Sequence, residues 1–147
     1  MKIQCKAEIS LPPERVFPWI AEPEKAMQWQ KNVKGGKIIK GNPEIVGTTF
    51  EEMIEEDGKS LTMNGTITQY VKNKIIGFHL VSKIHEVDVC YILDEIENAT
   101  KLSIEAEIHW KFPMNIISIF VNKKMAKGIS AQLLNEVQDL KKLCEGA

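Results

Sequence analysis

The chain has 147 residues, with Lys plus Arg at 19 and Asp plus Glu at 20, so its formal net charge is −1. Near-neutrality argues against the broad basic face that a nucleic-acid footprint needs. A chain of this length is expected to fold as one domain over 1–147, burying about 70% of its unfolded surface without a disulfide or a metal.

The elements follow in chain order. Ile3, Cys5, Ala7 and Ile9 alternate with Lys2, Gln4, Lys6 and Glu8, the period of a half-buried strand and not of a signal peptide or membrane span. Ser10 is expected to cap a short helix that starts at Pro12-Pro13 and carries Val16, Phe17, Trp19 and Ile20. Pro18 should kink or shorten it. A second short helix near Pro23 carries Met27 and Trp29. Gly35-Gly36 breaks the pattern before a short strand through Ile38 and Ile39, and Gly41-Asn42-Pro43 turns. Phe50, Glu52 and Ile54 then share one strand face, with Met53 on the other. Asp57-Gly58 is the strongest hairpin signal. The return strand carries Leu61, Met63, Ile67 and Val71.

Turns at Asn73-Lys74, Ser82 to Ile84 and Asn98-Ala99 separate three more strands. The first carries Ile76, Phe78 and Leu80, the second Val87, Val89, Tyr91 and Leu93, and the third Leu102, Ile104, Ala106, Ile108 and Trp110. Pro113 ends the strands. From about Met114 to Glu145 the period becomes 3.6, with Phe120, Ile129, Leu133, Val137, Leu140 and Cys144 on one stripe. Gly128 interrupts that helix and is expected to mark a bend or a close approach of the sheet. The apolar run Ile116 to Val121 is too short to cross a bilayer. Strands joined by short turns make an antiparallel sheet, and the long helix is the element able to cover its apolar face.

The chain resembles the START-like, SRPBCC helix-grip superfamily, in its polyketide cyclase/dehydrase or CoxG-like branch. The resemblance lies in Ile9-Ser10-Leu11-Pro12-Pro13-Glu14-Arg15-Val16-Phe17, Glu22-Pro23-Glu24 and Trp29. It continues in Gly47-Thr48-Thr49-Phe50, Tyr91-Ile92-Leu93, Thr100-Lys101-Leu102 and Leu140-Lys141-Lys142-Leu143-Cys144-Glu145. It implies an α+β fold in which a curved antiparallel sheet of about seven strands grips the C-terminal helix, with a cavity between sheet and helix. Members bind lipids, polyketides, hormones or other apolar ligands, and some catalyse cyclisation or dehydration.

No catalytic motif, cofactor loop or metal-ligand spacing is present. Alternation turns His79 and His109 outward, and His85 falls in a loop or at a strand start. Cys5, Cys90 and Cys144 are widely spaced and read as buried free thiols, a usage that fits a reducing cytoplasm. Lys31, Lys34, Lys37 and Lys40, and the acidic run Glu51, Glu52, Glu55, Glu56 and Asp57, read as solvated faces. Glu52 is the exception, since its face is apolar and a β-bulge would decide where it points.

The candidate ligand-binding set is Trp29, Phe50, Glu52, Met63, Ile67, Phe78, Tyr91, Leu93, Ile104, Trp110, Phe120 and Met125. The leading expectation is a binder or carrier of a small hydrophobic molecule. The alternatives are a polyketide cyclase or dehydratase using Glu52 and Tyr91, and a protein- or membrane-associated assembly factor. The last would use Lys31 to Lys40 and Lys123, Lys124 and Lys127. The cavity mouth is expected beside the first half of the long helix.

Overall fold

A computed structural model of the chain describes residues 1–56 and 58–146. Strand β1 (Lys2–Ile9) leads into helices α1 (Pro13–Ala21) and α2 (Pro23–Ala26). Strands β2 (Val33–Lys40), β3 (Thr49–Glu56), β4 (Lys59–Val71), β5 (Ile75–Val81), β6 (His85–Ile96) and β7 (Ala99–Trp110) follow, and α3 (Met114–Glu145) closes the chain. The strands form one seven-stranded sheet in the order β1-β7-β6-β5-β4-β3-β2. Every neighbouring pair is antiparallel. This is the helix-grip fold, a curved sheet with a long C-terminal helix.

The meander follows from its turns. Asn73, Glu97, Asn98 and Gly58 all take positive φ, the conformation that tight hairpin turns demand. The last turn is centred on Glu97-Asn98, one residue before the expected Asn98-Ala99, and Ala99 already belongs to β7. Asp57, half of the expected Asp57-Gly58 signal, lies outside the described residues.

Two local expectations are corrected, at Ser10 and at Gly35-Gly36. Ser10 does not cap α1. Pro12 holds the cap position without a side-chain bond, and the Ser10 backbone N–H donates to the Glu145 carboxylate at 2.9 Å. Pro18 lies inside α1, a helix of 9 residues that runs on to Ala21. The carbonyl it leaves unbonded belongs to Glu14, an exposed residue that water can serve. Gly35-Gly36 does not break the chain before β2 but lies inside it, where a register shift between Val33 and Gly35 absorbs the irregularity.

The core gathers on the inner sheet face. Ile9, Leu102 and Ile104 pack with Val16, Phe17 and Ile20 of α1 and with Trp29. Helix α3 joins it through its second half, where Val137, Leu140 and Cys144 are buried. Its first half departs from the expected stripe, and Phe120 is 83% exposed. Gly128 marks no close approach, for a side chain there would meet nothing within 4 Å.

Candidate functional site: a pocket between α2 and the β2–β6 sheet face

Between α2 and the inner face of β2–β6 lies a cavity of about 450 Å³. Ile20, Ala26 and Met27 form one wall, and Phe50, Ile67, Phe78 and Leu80 form the sheet side. Gly36 and Ile38 of β2 and Pro43 of the following loop lie at its edge. That loop is braced by Thr48, whose hydroxyl donates to the Asn42 carbonyl at 2.6 Å and accepts from the Asn42 N–H at 3.0 Å.

The hollow has a local cause. Residues opposite each other on neighbouring strands share a face. Gly36 is the partner of Glu52, and Ile38 the partner of Phe50. A glycine at that register leaves open the volume that a side chain would fill. The sheet side is ordered by an edge-to-face run of rings. Phe50 meets Phe78 at 5.6 Å, Phe78 meets Tyr91 at 6.2 Å, and Tyr91 meets Trp29 at 6.4 Å between centroids. Trp29 is anchored by its indole N–H, which donates to the Trp19 carbonyl at 2.8 Å.

Several titratable groups line this space, among them Glu22, Glu24, Lys25, Lys37 and Glu51, and Glu52 and Tyr91 lie beside the apolar sheet wall. Glu52 is half-buried, and burial alone raises its pKa above the ordinary carboxylate value. No bulge interrupts the β3–β4 register from Thr49 to Glu56, so Glu52 stays on the side of Phe50 and Ile54. Met53 takes the outer face, 48% exposed. Tyr91 is buried, and its phenol is pushed far up by burial, then by the charges of Glu52 and Glu136, against a hydrogen bond with Gln30. Glu136 of α3 is likewise raised by burial, offset by Gln132 and Lys31. Lys31 pairs with Asp139 at 3.0 Å, which ties the segment before β2 to α3. The pocket thus offers an apolar sheet wall with a polar group built from Glu52, Tyr91 and Gln30, and further charged lining residues that include Glu22, Lys25 and Lys37.

The structure brings Phe50, Glu52, Ile67, Phe78 and Tyr91 together on the pocket. Trp29, Met63, Leu93 and Ile104 are buried core residues and stand outside its lining. Trp110 stacks on His85 with centroids 5.1 Å apart, away from the pocket. Phe120 and Met125 are corrected as lining residues. Phe120 points into water, Met125 is half-buried on α3, and no α3 residue lines the cavity. The mouth therefore lies beside α2 and β2, not beside the first half of α3. Gly36, Gln30 and Met27 were not among the expected site residues. The one sequence signal for Gly36 is a glycine in a strand opposite an inward acid.

His79 bonds Asp88 at 2.8 Å on the outer face, and His109 lies 3.4 Å from Glu107. His85 bonds the Ser82 hydroxyl at 2.7 Å. Cys90 and Cys5 are half-buried, and Cys144 is buried with its thiol pushed up to about 11. All three thiols are raised chiefly by burial, the opposite of an activated nucleophile. Among the described residues no cluster of His, Cys, Asp or Glu could hold a metal ion. No described helix is long and apolar enough to cross a membrane.

The model of one protein family, Activator of Hsp90 ATPase homolog 1-like protein, matches residues 10–139. The chain belongs to this family. Its recognition as a START-like, SRPBCC protein is thereby established. Among proteins of curated function no sequence match was found. Solved structures of the same fold include TTHA0849 from Thermus thermophilus, at TM-score 0.81 and 13% identity, covering 99% of this chain and 98% of that one. The Zhui aromatase/cyclase from Streptomyces sp. R1128 superposes at TM-score 0.79 with 8% identity, covering 99% and 93%. Ara h 8.0201 superposes at TM-score 0.70 with 14% identity, covering 100% and 99%. At these identities the likeness of this family member to each of them is one of fold.

Proposed function

We propose that this chain, acting as one domain over 1–147, binds a small and mainly apolar molecule in the α2–sheet pocket. The molecule's one hydrogen-bonding group meets Glu52 and Tyr91. The observation that carries the reading is the cavity of about 450 Å³ lined by Phe50, Ile67 and Phe78 with Glu52 and Tyr91 facing in. That volume lies within the roughly 300–1,000 Å³ of small-molecule sites. A ligand with a hydroxyl or carbonyl at one end satisfies the acid and the phenol, while its remainder covers apolar wall. A ligand with no polar group leaves the Glu52 carboxyl without a partner from the ligand, which is unfavourable by about 1–3 kcal/mol.

The reading needs no cofactor, metal, nucleic acid or protein partner, and three free cysteines fit a reducing, cytoplasmic setting. The test is a titration with 2-naphthol and with naphthalene, followed by isothermal calorimetry. Tighter binding of 2-naphthol, with the difference erased in Glu52→Gln/Tyr91→Phe, is expected. Equal affinity for both ligands, or no binding, would sink the reading.

A second reading is favoured by one observation, the raised pKa of an inward Glu52. A carboxyl shifted toward neutrality is suited to take and return a proton in a cyclisation or dehydration, and the Zhui protein is named as an aromatase/cyclase. Here Glu52→Gln would abolish turnover of a polyketide-like substrate and leave its binding within a few-fold. Retained turnover in that variant would remove Glu52 from the chemistry.

A further inference from the structure

The first half of α3 leaves its apolar residues in water. Phe112, just before the helix, is 76% exposed, Ile119 74% and Phe120 83%. Ile116 and Ile84 are also exposed, and the Lys111 N–H donates to the Ile84 carbonyl at 2.8 Å, which brings the β5–β6 loop to the same end of the molecule. Large apolar side chains clustered in this way mark an interaction surface.

The charge around them is segregated. Between Glu107 and Glu136 the sequence holds no acid, yet it carries Lys111, Lys123, Lys124 and Lys127. In a chain whose net charge is −1, this stretch is locally positive. At helical spacing Ile116, Phe120, Lys123 and Lys127 fall on one side of α3. The apolar side chains come first and the lysines follow one to two turns later. Ser118 on the opposite side is buried, so this arc is the outward one.

We propose that this end of the molecule docks on an anionic lipid surface. Phe112, Ile116 and Phe120 enter the boundary between headgroups and acyl chains, and Lys123, Lys124 and Lys127 lie against the phosphates. The pattern of apolar side chains with lysines on one helix fits such an interface, and lysine stems can lie along it with their ammonium groups in the headgroup layer. The positive charge selects an anionic surface over a neutral one. The inference is independent of the pocket, whose mouth lies beside α2 and β2.

The test is co-sedimentation of the full chain with phosphatidylcholine vesicles, with and without phosphatidylglycerol, at low and high salt. Binding is expected with phosphatidylglycerol alone and should weaken as salt screens the charges. Lys123→Gln/Lys124→Gln should lower it by roughly 25-fold, about fivefold per lysine, and Phe112→Ser/Phe120→Ser by about tenfold or more. Circular dichroism and melting should show both variants folded, since the replaced side chains are exposed. Absence of binding to anionic vesicles would overturn the proposal, as would equal binding to neutral ones or unchanged binding by both folded variants. A wild-type dimer that Phe112→Ser/Phe120→Ser turns to monomer, with no vesicle binding, would overturn it in favour of a second copy of this chain.

Discussion

The ring of Phe50 stands where a side chain on Gly65 would be. A Cβ placed on Gly65 would collide with the Phe50 ring carbons, and the two residues are register partners across β3 and β4. Gly65 is therefore the bed on which the first ring of the Phe50–Phe78–Tyr91–Trp29 run lies. Gly65→Ala should push that ring off its site and destabilise the fold by about 1–3 kcal/mol, the usual range for overpacking. Urea denaturation checks the loss, and near-ultraviolet circular dichroism should show the aromatic packing altered in the folded variant.

Glu52→Gln should stabilise the protein at neutral pH. Burial raises the Glu52 pKa in the folded state, so the native protein holds its proton more tightly than the unfolded chain does. The stability linked to that proton is fully present below the unfolded value of about 4.3 and is lost as pH rises through the folded pKa. The glutamine variant carries no such loss. Its advantage over wild type in urea should be greatest above the folded pKa and shrink toward zero at acid pH. A constant difference across that range would contradict the burial of this carboxyl.

Gly36→Leu should close the pocket without unfolding the chain. A Cβ at Gly36 would lie 3.4 Å from the Glu51 carbonyl oxygen and 3.8 Å from Glu52 Cγ, distances that the structure tolerates. The rest of a leucine would occupy the space beside Glu52. Affinity for 2-naphthol should fall by about tenfold or more, since the apolar contacts of the ligand are displaced, while the melting temperature changes little. Unchanged affinity would mean that the ligand sits elsewhere.

Gly128→Ala should stabilise the protein by up to about 1 kcal/mol, the helix-propensity difference between the two residues. The site is exposed and a Cβ there meets nothing within 4 Å. Thermal melting checks it, and a loss of stability would show that α3 needs a glycine at that turn.

The sheet and its long helix were legible because alternation and the change to a 3.6 period are strong local signals. The bounds Met114–Glu145 are those the period predicts. The inward aim of Glu52 was legible in part. Its face followed from Phe50 and Ile54, but the absence of a bulge in β3 had to be seen. Phe120 was misplaced for a reason of length. A stripe gives the direction a side chain points and not where the helix overruns its support. At 1.5 Å per residue the 32 residues of α3 extend about 48 Å. The eight residues of β1, which it packs beside, extend about 27 Å. Thus Val137, Leu140 and Cys144 are buried and Phe120 is not. The pocket mouth was illegible because it depends on Gly36 meeting Glu52, a register between strands that neither segment encodes alone.

Occupancy of the α2–sheet pocket by a small apolar molecule with one polar end can be observed residue by residue. Methyl-resolved NMR of isoleucine-labelled protein titrated with 2-naphthol views it most directly. Shifts are expected at Ile20, Ile38 and Ile67, which line the cavity, with Ile116 and Ile119 unmoved. No shift at Ile20, Ile38 and Ile67, or shifts concentrated at Ile116 and Ile119, would contradict that occupancy.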